Sequence, residues 1–166
     1  MLHKTTMNMK IAIIYATQHG CADKCAHTLA NEIDINTAII NLELSTDVNL
    51  NAFDTLIIGG SIHAGAINKK VKKFIDKYQD IILQKKLGLF LCCLYEGEKA
   101  LQQFQDAYPE LLRNKAIAHG LFGGEIDFEK MNFFEKAIIK KVANIEESFS
   151  KINYSNIKDF AQKMLL

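Results

Sequence analysis

Three short segments of this chain carry residues whose types and spacing suit ligand chemistry. The first is Thr17-Gln18-His19-Gly20-Cys21-Ala22. It directly follows a short run rich in β-branched residues and opens an amphipathic stretch. Amides at the start of a helix, together with the helix dipole, converge on one spot and favour an anion. Thr17 adds a hydroxyl, His19 an imidazole that is a cation when protonated, and Gly20 allows close backbone approach. The segment has neither the phosphate-loop lysine nor the three glycines of a dinucleotide fingerprint, and by itself it also fits a plain tight turn. The second segment is Gly59-Gly60-Ser61-Ile62-His63-Ala64-Gly65. The part from Gly60 to Gly65 suits backbone packed against a flat ligand. The third is Tyr95-Glu96-Gly97, where Tyr95 either packs its own loop or stacks on an aromatic ring for roughly 1 kcal/mol.

Cys21, Cys25, Cys92 and Cys93 are the other reactive side chains. Cys21 and Cys25 have helical i, i+4 spacing, and Cys92 and Cys93 sit in an apolar run, where cysteine behaves as a small hydrophobe. No Cys-x-x-Cys pair or suitably spaced histidine accompanies them, so no metal site is expected. Reduced thiols are the expectation for a cytoplasmic protein. Residues 1–10 lack the apolar core of a secretory signal, and no apolar run reaches the length of a membrane span. Twenty basic and 19 acidic residues give a net charge of +1, which provides no electrostatic basis for nucleic-acid binding. Lysines do cluster locally, at Lys69, Lys70, Lys72, Lys73 and Lys77 and again at Lys136, Lys140 and Lys141. Solvated helix faces explain them, as does attraction to an acidic partner or membrane surface.

The elements that must position these segments follow from periodicity. Short apolar runs at 10–16, 37–44, 55–58, 87–95 and 116–122 read as strands. Helical spacing appears at 23–33, 68–83, 97–112, 128–149 and 155–166. Strands that alternate with helices pair in parallel, because parallel neighbours need a crossover. Their nearly continuous apolar character implies a sheet covered on both faces. The 166 residues are too few for an eight-stranded barrel, which takes about 250. The expectation is therefore α/β: one domain over 1–166, a three-layer sandwich with a five-stranded parallel sheet of order 2-1-3-4-5. Ligands of such sheets bind outside the carboxyl ends of the strands, at the switch point between strands 1 and 3. All three segments above fall there.

The sequence resembles the flavodoxin-like family, and within it is most similar to the menaquinone-dependent protoporphyrinogen dehydrogenase group. Four pieces carry the resemblance: Thr17-Gln18-His19-Gly20, Ile58-Gly59-Gly60-Ser61-Ile62-His63-Ala64-Gly65, the strand end from Gly120 to Gly124, and Phe133-Phe134-Glu135-Lys136. The resemblance implies FMN as cofactor. Its phosphate would lie on Thr17, Gln18, His19, Gly20, Cys21 and Ala22, and its ring between Gly60, Ser61, Ile62, His63, Ala64 and Gly65 on one side and Tyr95, Glu96 and Gly97 on the other. Backbone near Gly60 and Ser61 would tune the ring, and His63 is the candidate catalytic residue, relaying a proton; a surface histidine without such a role is the alternative. The family loop commonly ends in a hydroxyl residue. Here Cys21 and Ala22 stand instead, removing one or two phosphate hydrogen bonds of roughly 1.5 to 3 kcal/mol each.

Flavin carries the redox chemistry in such proteins while the chain binds and orients it. The implied activity is an FMN-dependent oxidoreductase, with protoporphyrinogen IX as substrate and a quinone as acceptor. Its partners would then be a small molecule or a redox protein, with peripheral contact on the inner face of the membrane through the helix 130–141. That helix also reads as an ordinary core helix. The alternatives are a flavodoxin-type electron carrier, which the near-neutral charge disfavours, and a non-catalytic module of the same fold.

Overall fold

The computed structural model describes residues 9–166, so most of the N-terminal stretch read above as lacking a secretory signal lies outside the described residues. The chain runs β1 (Ile11–Ala16), α1 (Cys21–Ile33), β2 (Thr37–Asn41), β3 (Thr55–His63), β4 (Ala66–Ile67), α2 (Lys69–Ile82) and β5 (Lys86–Cys92). It continues through α3 (Gly97–Ala107), α4 (Glu110–Lys115), β6 (Ala118–Leu121), β7 (Glu125–Ile126), α5 (Phe133–Val142), β8 (Phe149–Ser150) and α6 (Tyr154–Met164). The central strands pair in parallel in the order β2-β1-β3-β5-β6. This is the expected 2-1-3-4-5 arrangement once the short hairpin strand β4 is set aside.

Period-two alternation divides the sheet's apolar residues between two cores. On one face Ala12, Ile14, Leu56, Ile58, Leu89 and Leu91 meet Val71, Phe74 and Ile75 of α2, Phe104 of α3 and Leu112 of α4. On the other, Ile11, Ile13, Tyr15, Ile57, Phe90 and Cys92 meet Cys25, Leu29 and Ile33 of α1 and Phe160 and Met164 of α6. Every β1 residue is buried, which is why the run lacks polar alternation.

Three sequence expectations change. First, β3 extends to His63 and folds back on β4, pairing Ile62 with Ile67 and His63 with Ala66. The expected loop at 59–65 is therefore strand plus a two-residue turn, with Ala64 at φ 48° and Gly65 at φ 79°. Positive φ at both central residues matches the twist of a hairpin. Second, the helix expected at 97–112 divides at Tyr108, whose extended backbone (φ −122°, ψ 134°) is what a residue before proline adopts. The buried Tyr108 hydroxyl donates to the Phe90 carbonyl and fastens the break to the sheet.

Third, the long helix expected at 128–149 is only α5. A short 3-10 turn at Phe128–Lys130 precedes it. Asn132 caps α5 by accepting from the Glu135 amide at 2.9 Å, and Asn144, at φ 54°, follows its end. Pairing of Ile126 with Phe149 then claims the residues that would have continued it. No residue of α5 is buried: Phe133 is 81 % and Phe134 77 % exposed. The core-helix reading is thereby replaced.

Gly59 lies inside β3 for a packing reason: an added Cβ would stand 2.1 Å from the Phe90 ring. Gly59→Ala is expected to cost about 1–3 kcal/mol through overpacking, lowering the midpoint of thermal unfolding by roughly 2–10 °C for a chain of this size. An unchanged midpoint would refute the tight β3–β5 contact.

Candidate functional site

Parallel register brings the chemical segments to one edge. Ala16 pairs with Gly60, and Ser61 pairs with Cys92, so the residues after β1, β3 and β5 leave the sheet side by side. The first of these turns sharply. Gly20 has φ 92°, a left-handed backbone that only glycine adopts without strain, and its amide donates to Thr17 Oγ1 at 2.9 Å. The Thr17 oxygen thus accepts while its hydroxyl hydrogen stays available.

Among the described residues no side chain caps α1. Its first helical bond runs from the Lys24 amide to the Gly20 carbonyl at 3.0 Å. The Cys21, Ala22 and Asp23 amides precede that bond and have no intrahelical acceptor, the normal condition of a helix start. A cation stands over the same turn: Lys130 Nζ would lie 2.9 Å from a Cβ added at Gly20, with Asp127 Oδ2 3.7 Å from it. His19 Nε2 lies 2.6 Å from Glu135 Oε2, and the His19 and His63 rings are 5.9 Å apart between centroids. Thus α5, through Glu135, and the turn before it, through Lys130, border the first segment. His19 Nδ1 and, at the β3 end, Ser61 Oγ are buried with no hydrogen-bond partner among the described residues.

The remaining candidate residues divide by exposure. Gln18, His63, Ala64 and Gly65 are exposed, while Ser61 and Ile62 are half-buried. Gly60 is buried, and a Cβ there would meet Val71 and Ile67 at 3.1 and 3.2 Å, so packing accounts for this glycine without any ligand. Glu96 and Gly97 are exposed at the start of α3. Tyr95 is 52 % exposed, with Lys99 Nζ 5.1 Å from its ring centre. A cavity of about 440 Å³ lies elsewhere, between the β3–β4 hairpin and α2, α3 and α4; Ile62 and Gly65 reach it, but Thr17 to Ala22 do not.

Cys21 and Ala22 turn their side chains into the core, at 8 % and 0 % exposure, so these two residues have only their backbone to offer a ligand at the turn. Cys21 instead joins Cys25 and Cys92. The Cys21 thiol is drawn well below the ordinary range because Cys25 and Cys92 hydrogen-bond to it, and the contact with Cys21 is the chief cause that raises each of those two. Lys130, Glu135 and this thiol group are what sequence reasoning missed. Lys130 and Glu135 lie more than 100 residues beyond the first segment, and only their place in the late helical stretch marked them.

The family model for the flavodoxin domain matches residues 12–153. Among solved structures, flavodoxin 1 from Bacillus cereus superposes with a TM-score of 0.58 at 18 % identity, covering 94 % of this chain and 97 % of that one. The flavodoxin of Fusobacterium nucleatum, solved bound to flavin mononucleotide, gives a TM-score of 0.58 at 13 % identity, covering 94 % of this chain and 96 % of that one. Rubredoxin oxygen:oxidoreductase of Desulfovibrio gigas gives 0.56 at 15 % identity over 93 % of this chain, which spans only 35 % of that longer protein. At these identities the structural matches establish the fold. No curated protein matches the sequence.

The Tyr15 hydroxyl donates to Asp23, tying the first turn of α1 to β1. Burial chiefly, then that hydrogen bond and the carboxylate charge, push the Tyr15 phenol above its usual value; burial does the same for Tyr108. Above about pH 10 the unfolded chain releases phenol protons that the folded chain keeps, so stability falls as pH rises, by about 1.4 kcal/mol per pH unit for each such group. In an alkaline titration followed by phenolate absorbance, Tyr15 and Tyr108 should ionise only as the chain unfolds. Asp23→Asn should bring Tyr15 down part of the way, since burial remains. Ionisation of all five tyrosines in the folded chain would contradict this.

Proposed function

This chain belongs to the flavodoxin-domain family, and on that premise we propose that it binds FMN on the Gly20 turn and serves as a flavin-dependent oxidoreductase. The observation that carries the reading is the uncapped start of α1 with Lys130 above it: free amides, a free Thr17 hydroxyl hydrogen and an ammonium group converge on one small volume. That is the donor set a phosphate monoester requires. The Cys21 and Ala22 side chains supply no hydroxyl there, and Lys130 compensates with charge.

The chain's own residues then have distinct roles. Thr17 and the amides of Cys21, Ala22 and Asp23 hold the phosphate. Ser61, at the end of β3, would meet the ring through its backbone, and the exposed Tyr95 is free to stack on it. His63 is placed to exchange a proton with solvent. When bound, the flavin supplies hydride and single-electron transfer, which no side chain here provides.

Under the finer reading the substrate is protoporphyrinogen IX and the electron acceptor a quinone at a membrane surface. What supports it over a freely diffusing carrier is α5, where Phe133, Phe134, Ile138 and Val142 are exposed beside Lys136, Lys140 and Lys141. Exposed aromatics among lysines suit an anionic lipid interface, each lysine adding about 1 kcal/mol near such a surface. Among the described residues no helix is long and apolar enough to cross a membrane, so contact would be peripheral.

Protein mixed with FMN and desalted should retain flavin absorbance. Lys130→Met should weaken FMN binding about tenfold, equivalent to roughly 1.4 kcal/mol, and flatten its salt dependence. Thr17→Ala combined with Gly20→Val should abolish it. A colourless wild-type protein that leaves FMN fluorescence unquenched sinks the flavin reading.

Vesicles test the finer reading. The chain should sediment with phosphatidylglycerol vesicles and not with phosphatidylcholine, and Phe133→Ser with Phe134→Ser should release it. Equal sedimentation of the variant, together with no quinone-dependent oxidation of protoporphyrinogen, would leave an electron carrier.

A further inference from the structure

Beneath the Gly20 turn lies a second chemical group that the flavin reading does not use. Cys21 and Cys25, one helical turn apart on α1, share a face, and that face packs on the sheet where Cys92 points upward from β5. The sulfurs of Cys21, Cys25 and Cys92 lie within 4.8 Å of one another. All four cysteines of the chain are free thiols, and Cys25 and Cys92 are 0 % and 2 % exposed. Cys93 is excluded from the group by the pleat: it faces the opposite core, 3.6 Å from the Tyr95 carbonyl.

We propose that Cys21, Cys25 and Cys92 form a three-sulfur binding site for a soft d10 cation of low coordination number, Cu(I). Metal–sulfur bonds of about 2.3 Å place three sulfurs around one ion about 4 Å apart, so closure needs less than an ångström of movement at side chains that already touch. Thiolate ligands select soft ions. A structural zinc site takes four protein ligands, and an iron–sulfur cluster takes four cysteines; here the fourth cysteine lies across the sheet. Three ligands in a nearly dry pocket are what Cu(I) accepts. Binding releases thiol protons to solvent and changes no oxidation state. The site stands on its own geometry, independent of whether flavin binds above it.

The test is an anaerobic titration of the reduced full chain with Cu(I) against a chromophoric Cu(I) chelator, with X-ray absorption of the loaded protein. One Cu(I) per chain should be withdrawn from the chelator, and the absorption should show three sulfur neighbours and no nitrogen or oxygen. Cys25→Ser and Cys92→Ser should each weaken binding at least tenfold, while Cys93→Ala leaves it unchanged. One equivalent of Zn(II) should not displace the copper. Failure to compete with the chelator, fewer than three sulfur neighbours, displacement by Zn(II), or equal weakening by Cys93→Ala would each overturn the site. Should the serine variants fail to fold, the wild-type coordination number and Cys93→Ala decide it.

Discussion

Everything that this chain offers to a ligand depends on the parallel pairing of β1 with β3. Because Ala16 sits opposite Gly60, the turn after β1 and the hairpin after β3 emerge together at one edge, and β2 lies on the far side of β1. The chain's direction of winding reverses between β1 and β3, leaving a crevice that no crossover covers. A one-residue slip would exchange the two faces of β1, turning Tyr15 from α1 toward α2 and breaking its tie to Asp23.

The Gly20 turn shows how little side chain such a site requires. Its donors are backbone amides left over by helix geometry, oriented by one left-handed glycine and one threonine hydroxyl. What surrounds it is less economical. The segment from Asp127 to Val142 contributes almost nothing to the core, yet it brings Lys130 over the turn and Glu135 against His19. A stretch that buries no side chain in its helix gains little by packing; what holds it beside the turn is the contact of Glu135 with His19 and the β7–β8 pairing that closes behind it.

Legibility in the sequence followed the range of the physics involved. β1, α1, α2 and α6 are marked by local periodicity and by burial on a continuous face, and all were readable to within a few residues. The division at Tyr108 was encoded in Pro109, a local signal that helical spacing on both sides concealed. The β3–β4 hairpin was obscured because its turn uses Ala64 where glycine or asparagine usually announces positive φ. The shortened α5 was obscured because lysines and large apolar residues at helical spacing look alike whether the apolar face is buried or bare.

By itself the sequence determined the layered α/β class, the strand order and the sharp turn at Gly20, since these rest on periodicity, crossover geometry and one glycine at one helix start. Only the tertiary structure decided which distant side chains gather there. Lys130 over Gly20, Glu135 on His19 and Cys92 beside Cys21 and Cys25 are pairings across the chain. They follow from strand register and from where a helix comes to rest, and no local pattern in the sequence specifies either.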